Sequence, residues 1–117
     1  MPSTLVLIQK QVVGAAGAAS VTFSSIPQTY TDLVLRVSSR DTSAATIANM
    51  YVRFNGDSGS NYTDRMLYAS GTSVSSGVNS GTGIYYTYSV GANGPAGLFS
   101  NNEVIVGAYT GSAYKAI

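Results

Sequence analysis

SVTFSSIPQTYTDLVLRVSS, residues 20–39, contains two short apolar runs separated by a proline, and this stretch decides the predicted fold class. In residues 20–24 apolar and hydroxyl side chains alternate, which is the period-2 pattern of a half-buried strand. Pro27 has no N–H to donate to a sheet and favours extended geometry in the residue before it, so it marks a turn. Residues 32–38 then alternate again, with three apolar side chains on one face: Leu33, Leu35 and Val37. The stretch therefore predicts a strand, a turn and a second strand.

Further strands are predicted where the alternation returns, at residues 5–9, 49–55, 64–69, 84–90 and 103–108. The predicted core positions are Leu35, Val37, Val52 and Phe54. By contrast, residues 71–83 are mostly Gly, Ser and Thr and predict a loop, whereas residues 40–48 lack Gly and Pro and predict one helical turn.

The number of predicted strands and the lack of helical periodicity indicate an all-β chain. We predict a single domain over residues 1–117, an antiparallel β-sandwich of jelly-roll type. Residues 114–117 look like the start of a strand that has no partner in the chain. Because an unpaired sheet edge invites association, we expect a neighbouring subunit to complete the sandwich.

Charged residues are scarce in this chain. They make up 9% of it, and the formal net charge is +1, whereas soluble domains usually have about 25% charged residues. A surface with so little charge repulsion favours association between copies. We therefore predict a homo-oligomer, a trimer, rather than a free enzyme.

The absence of Cys and His narrows the possible chemistry. It removes disulfides, thiolate and imidazole metal ligands, and the nucleophile–base pairs that depend on them. We predict no catalytic residue, no cofactor and no bound metal. The six basic residues are scattered and no apolar run reaches about 18 residues, so neither nucleic acid nor a membrane is an expected partner.

Three short motifs are weak signals. Asp57, Asn61 and Asp64, with Asn55, could place oxygens around a hard cation such as calcium. Two carboxylates make a poor site, so a solvated turn is favoured. Ser112-Ala-Tyr-Lys115 matches the S-x-x-K string of penicillin-binding enzymes without its partner motifs, which indicates a chance match. Asn61-Tyr62-Thr63 is a glycosylation sequon and is interpreted as ordinary turn chemistry.

The nine tyrosines are the remaining signal, and three of them crowd one predicted strand: Tyr85, Tyr86 and Tyr88. Exposed tyrosines can stack on sugar rings or anchor a protein interface, and buried ones can fill a sandwich core. Packing is favoured for Tyr86 and Tyr88, and both roles stay open for Tyr85. The residues predicted to form an intersubunit or capsid interface are Leu5, Leu7, Tyr85, Tyr114 and Ile117.

Two runs, SVTFSSIPQTYTDLVLRVSSR (residues 20–40) and YVRFNGDSGSNYTDRMLYASG (residues 51–71), resemble a group of tailed-bacteriophage virion proteins. Members of this group occur among head decoration, head-fibre and tail-fibre components. The likeness spans about residues 3–117, and related proteins continue with further strands beyond the point where this chain ends. The resemblance brings no catalytic residues with it.

The resemblance implies a non-enzymatic structural protein on the capsid surface of a virion, assembled in the host cytoplasm. Its partner would be the major capsid protein, which it would bind as a decoration or cement subunit. The alternative is a head- or tail-fibre module that binds host surface glycan.

Overall fold

The computed structural model describes residues 5–112 and Ile117, and of Tyr86 it describes the backbone alone. Every regular element in these residues is a strand, which confirms the all-β prediction: β1 Leu33–Ser39, β2 Ile47–Val52, β3 Tyr62–Ser70, β4 Ser73–Gly81, β5 Ile84–Val90 and β6 Ser100–Val106. The strands pair as three two-stranded sheets, β1–β6, β2–β5 and β3–β4. The jelly-roll sandwich and its completion by another subunit stay predictions.

Residue contacts divide the chain into two units. Residues 34–104 form one unit, and residues up to 33 together with those from 105 onward form the other. Among the described apolar side chains two are buried, Val104 in the first unit and Val106 in the second. The prediction of a single domain over the whole chain is neither confirmed nor contradicted by this division.

The alternation predicted at residues 32–38 and at the start of residues 49–55 is confirmed. In β1 the side chains of Leu33, Leu35 and Val37 are half-buried and their neighbours in the strand are exposed. The strand predicted at residues 49–55 is β2, which begins two residues earlier and ends at Val52. The predicted core residues Val52 and Phe54 are half-buried, so they contribute to packing without being fully enclosed.

The loop predicted at residues 71–83 is wrong, because most of it is β4. β4 pairs with β3 in an unbroken antiparallel register from Tyr62–Gly81 to Ser70–Ser73. Gly71, with φ of +59°, makes the two-residue turn that this pairing requires. β3 therefore forms its hairpin with β4. Besides the backbone pairing, side-chain bonds join β4 to β3, since Asn79 Nδ2 donates to Asp64 Oδ1 at 3.0 Å. Val74 and Val78 are the only large apolar side chains of β4, so its sequence shows little apolar pattern.

Three other predicted elements are also wrong. Residues 5–9 and 20–24 form no strand. One hydrogen bond joins these two segments, in which Gln9 Nε2 donates to the Ser24 carbonyl oxygen at 2.9 Å. Residues 40–48 contain no helical turn. There the Asp41 carboxylate accepts the Ser43 N–H at 2.6 Å, and this local side-chain bond competes with helix formation.

In the 34–104 unit a cluster of hydroxyl groups joins the β1–β6 sheet to the β2–β5 sheet. Ser39 Oγ lies 3.0 Å from Ser89 Oγ and 3.0 Å from Ser100 Oγ, and Ser89 is buried. Thr87 Oγ1 donates to Asn102 Oδ1 at 2.8 Å on the same side of β5. One face of β5 is thus directed at β1–β6, which leaves its other face for the tyrosines.

Candidate functional site

An irregularity in the β2–β5 pairing decides where the tyrosines lie. Met50 pairs with Thr87, but the next residue, Tyr51, pairs with Tyr85, so β5 contains one extra residue at this point. In a regular strand Tyr85 and Tyr88 would face opposite sides of the sheet. The extra residue shifts the alternation by one position, as β-bulges do, and brings Tyr85 to the face that Tyr51 and Tyr88 occupy.

The three rings form a contiguous aromatic surface. The Tyr85 ring centroid lies 5.3 Å from that of Tyr88 at an interplanar angle of 74°, and 5.8 Å from that of Tyr51 at 59°. The Tyr85–Tyr88 pair has the edge-to-face geometry that the ring quadrupoles favour, and the Tyr51–Tyr85 pair is tilted. Tyr51 is 58% exposed and Tyr88 39% exposed, while Tyr85 between them is half-buried.

The packing role predicted for Tyr88 is therefore only partly met, because its ring packs on Tyr85 while 39% of the residue stays exposed. The packing role predicted for Tyr86 concerns a side chain outside the described part of the structure. Tyr85, for which both roles were open, is the central ring of the cluster.

The β3–β4 hairpin supplies the second wall of a groove. Asp64 on β3 connects the two walls: its Oδ2 accepts the Tyr85 backbone N–H at 3.0 Å, and its Oδ1 accepts from Asn79 Nδ2 at 3.0 Å. The groove has a volume of about 620 Å³. We call it the tyrosine groove; its lining includes Asn49, Tyr51, Arg53, Asp64, Met66, Tyr68, Gly77, Asn79, Tyr85 and Tyr88.

The charges of the tyrosine groove balance. Its lining contains one cation, Arg53, and one carboxylate, Asp64. The guanidinium is held at the end of the groove, where Nε donates to the Thr82 carbonyl oxygen at 2.6 Å and Nη2 donates to Thr82 Oγ1 at 3.0 Å. Both charged groups are thus fixed by hydrogen bonds, and the groove has no net charge to attract an ion.

The Tyr85 hydroxyl is buried and has no hydrogen-bond partner among the described residues. Burial raises the pKa of Tyr85, and the neighbouring phenols of Tyr88, Tyr51 and Tyr68 act in the same direction. The hydroxyl therefore stays protonated at neutral pH.

The turn that precedes β3 has the Asx-stabilised geometry that its sequence predicts. Asp57 Oδ1 accepts the Gly59 N–H at 2.8 Å, and both carboxylate oxygens lie within 3.2 Å of Asn61 Nδ2. Asn55 and Gly56 adopt positive φ values of 54° and 70°. Within residues 5–112 and 117, no group of three or more acidic, His or Cys side chains could hold a metal ion.

The predicted interface residues lie in several different places. Leu5 is 56% exposed and Leu7 79% exposed, and Ile117 is also exposed. Tyr85 lies in the tyrosine groove, and Tyr114 falls outside the described residues. Their role in an interface stays a prediction.

Sequence reasoning missed most residues of the groove, including Asn49, Tyr51 and Asn79. The outward position of Tyr51 in the β2 alternation was a usable signal for one of them. Asn79 could not be found, because it lies on the strand that was predicted to be a loop.

Comparisons of the chain with protein-family models, with curated proteins and with solved structures found no match. Because no comparison matches, the resemblance to phage virion proteins rests on the two sequence runs alone.

In the described part of the chain there is no helix with the length and hydropathy that crossing a membrane requires.

Proposed function

We propose that this chain is a non-enzymatic structural protein of a tailed-phage virion, a decoration or cement subunit that binds the major capsid protein at the capsid surface. It acts as a trimer and joins the particle in the host cytoplasm. The virion assignment is supported by the resemblance of residues 20–40 and 51–71. The role in assembly is supported by an unpartnered apolar surface on the β3–β4 hairpin.

That surface is the face of the hairpin directed away from Met66. The antiparallel register places Leu67, Val74 and Val78 on it, and these side chains are 78%, 71% and 56% exposed. The exposed Arg65, which pairs with Val78, lies at one end of the same face. Fully burying a Leu or Val side chain contributes about 1.5–3 kcal/mol. We call the three apolar residues the outer hairpin face; covering them with a partner recovers apolar burial that the isolated chain lacks.

The proposed mechanism is repeated weak contact. Each subunit needs to contribute only a modest interface, because many copies bound over a shell act together and reinforce it. The low charge content of the chain reduces repulsion between copies. Leu5, Leu7 and Ile117 are the further positions at which we expect subunit or capsid contact.

Sedimentation velocity of the isolated protein, followed by cosedimentation with undecorated capsids, tests this proposal. A trimer that binds capsids is expected, and Leu67→Asp should reduce capsid binding at least about tenfold. Val12→Asp is the matched control, because Val12 is 79% exposed and lies off the hairpin. A stable monomer without capsid affinity, or equal binding by the two variants, would overturn the proposal.

The second candidate function is a head- or tail-fibre module that binds host surface glycan. The tyrosine groove favours it, because exposed tyrosine rings beside amide side chains are a suitable surface for sugars. The copy number per particle separates the two functions: a decoration subunit is expected in far more copies than a fibre subunit.

A further inference from the structure

We propose that the tyrosine groove binds a neutral saccharide, with one sugar ring stacked on Tyr51 and its hydroxyls bonded to the side-chain amides of Asn49 and Asn79. This inference rests on the second candidate function and names its ligand and its binding residues. It follows from the exposure of the rings, the free amide atoms and the balanced charge of the groove.

The aromatic part of the groove is shaped for a flat, partly apolar ring. Tyr51 is 58% exposed, and its ring is tilted by 59° from the Tyr85 ring beside it. The two rings therefore form an angled surface instead of a closed core. The face of an aromatic ring is electron-rich and attracts the C–H groups on one side of a pyranose. Tyrosine provides this surface with little loss of side-chain entropy.

The polar part of the groove offers groups that both donate and accept. Asn49 Nδ2 donates to the Tyr51 hydroxyl at 3.3 Å, and Asn79 Nδ2 donates to Asp64. Neither amide oxygen has a hydrogen-bond partner among the described residues. Sugar hydroxyls can donate to these oxygens and accept from the remaining amide hydrogens. The bonds already made hold each amide in place before a ligand arrives.

Charge and size exclude the main alternatives. A nucleic acid needs several cations to neutralise its phosphates, and Arg53 is the one cation in the lining and is bonded to Thr82. Asp64, next to the rings, disfavours an acidic sugar. The apolar surface suited to a protein partner is the outer hairpin face. The groove volume of about 620 Å³ lies within the range of small-ligand sites, roughly 300–1,000 Å³.

Titration of the ¹⁵N-labelled full chain, followed by two-dimensional NMR, tests the inference. The ligands are glucose, galactose, N-acetylglucosamine and the disaccharides lactose and cellobiose, and a millimolar Kd is expected for at least one of them, with shifts confined to the groove. Tyr51→Ala should weaken that binding by about tenfold or more. Tyr51→Phe keeps the ring and loses only the hydroxyl that accepts from Asn49, so it should weaken binding clearly less than Tyr51→Ala. Tyr30→Ala is the control, because Tyr30 is 38% exposed and lies in the other unit.

The inference is overturned if no sugar of the panel shifts groove resonances, or if Tyr51→Ala binds as well as the parent. Tighter binding of N-acetylneuraminic acid or of an oligothymidylate would also overturn it, because it would show an anionic ligand. Leu67→Asp should keep full sugar binding. Loss of sugar binding and loss of capsid binding are therefore observed independently, and the failure of one proposal leaves the other standing.

Discussion

Replacing Arg40 by Met should destabilise the protein by about 2–4 kcal/mol. Arg40 follows β1, and its guanidinium donates four hydrogen bonds to backbone carbonyl oxygens of the connection between β5 and β6. Nη1 donates to Pro95 at 2.7 Å and to Leu98 at 3.0 Å, and Nη2 donates to Ala92 at 3.2 Å and to Gly94 at 3.0 Å. One side chain thus binds four carbonyl groups of the connection, which backbone hydrogen bonds to residues 43–46 also hold.

The size of this loss of stability depends on how readily water can replace each hydrogen bond of the guanidinium. A hydrogen bond to a charged group contributes about 1.5–3 kcal/mol when water cannot take over. The bond to Gly94 is partly buried and should count nearly in full, while the other three lie at exposed positions and should count for a few tenths of a kcal/mol each. The loss is a large part of the roughly 5–15 kcal/mol that stabilises a domain.

Urea unfolding measures this loss, and Arg36→Met is the matched control. Arg36 forms an ion pair with Glu103 at 2.7 Å, but the two side chains are 69% and 46% exposed, so its removal should cost at most about 1 kcal/mol. Hydrogen exchange adds a local readout: the Gly94 amide, bonded to Gly91, should exchange faster in Arg40→Met. If Arg40→Met is no less stable than Arg36→Met, the connection does not depend on the guanidinium.

Three further predictions concern other positions. Tyr62→Phe should cost about 1–3 kcal/mol in urea unfolding, because its hydroxyl accepts one backbone N–H and donates to a backbone carbonyl in the turn before β3; unchanged stability would contradict this. Gly91→Ala should destabilise the protein by more than about 2 kcal/mol, because the new Cβ would overlap the carbonyl oxygen of Ala45, whereas Gly14→Ala meets no atom within 4 Å and should be neutral. Stability should fall as pH rises above about 10, because burial raises the pKa of Tyr85, so the unfolded chain ionises before the folded one. Urea midpoints at pH 8 and pH 11 test this, and a fall that is equally large in Tyr85→Phe would show that Tyr85 does not cause it.

Local pattern in the sequence is enough to predict some elements. The alternation of Leu33, Leu35 and Val37 predicts β1, because a strand with one face covered needs an apolar side chain at every second residue. The turn at Asp57 is predictable for a similar reason, since an Asx turn is a bond between residues two positions apart. These features depend on neighbours in the chain and need no information about distant contacts.

Tertiary structure decided the features that depend on a partner strand. β4 forms where its backbone pairs with β3, and two valines among Gly, Ser and Asn residues are too few to mark it as a strand in the sequence. The tyrosine groove depends on one extra residue in β5 opposite Met50 and Tyr51, and a bulge is a property of two strands together. A strict period of two separates Tyr85 from Tyr88, and only the register with β2 unites them on one face.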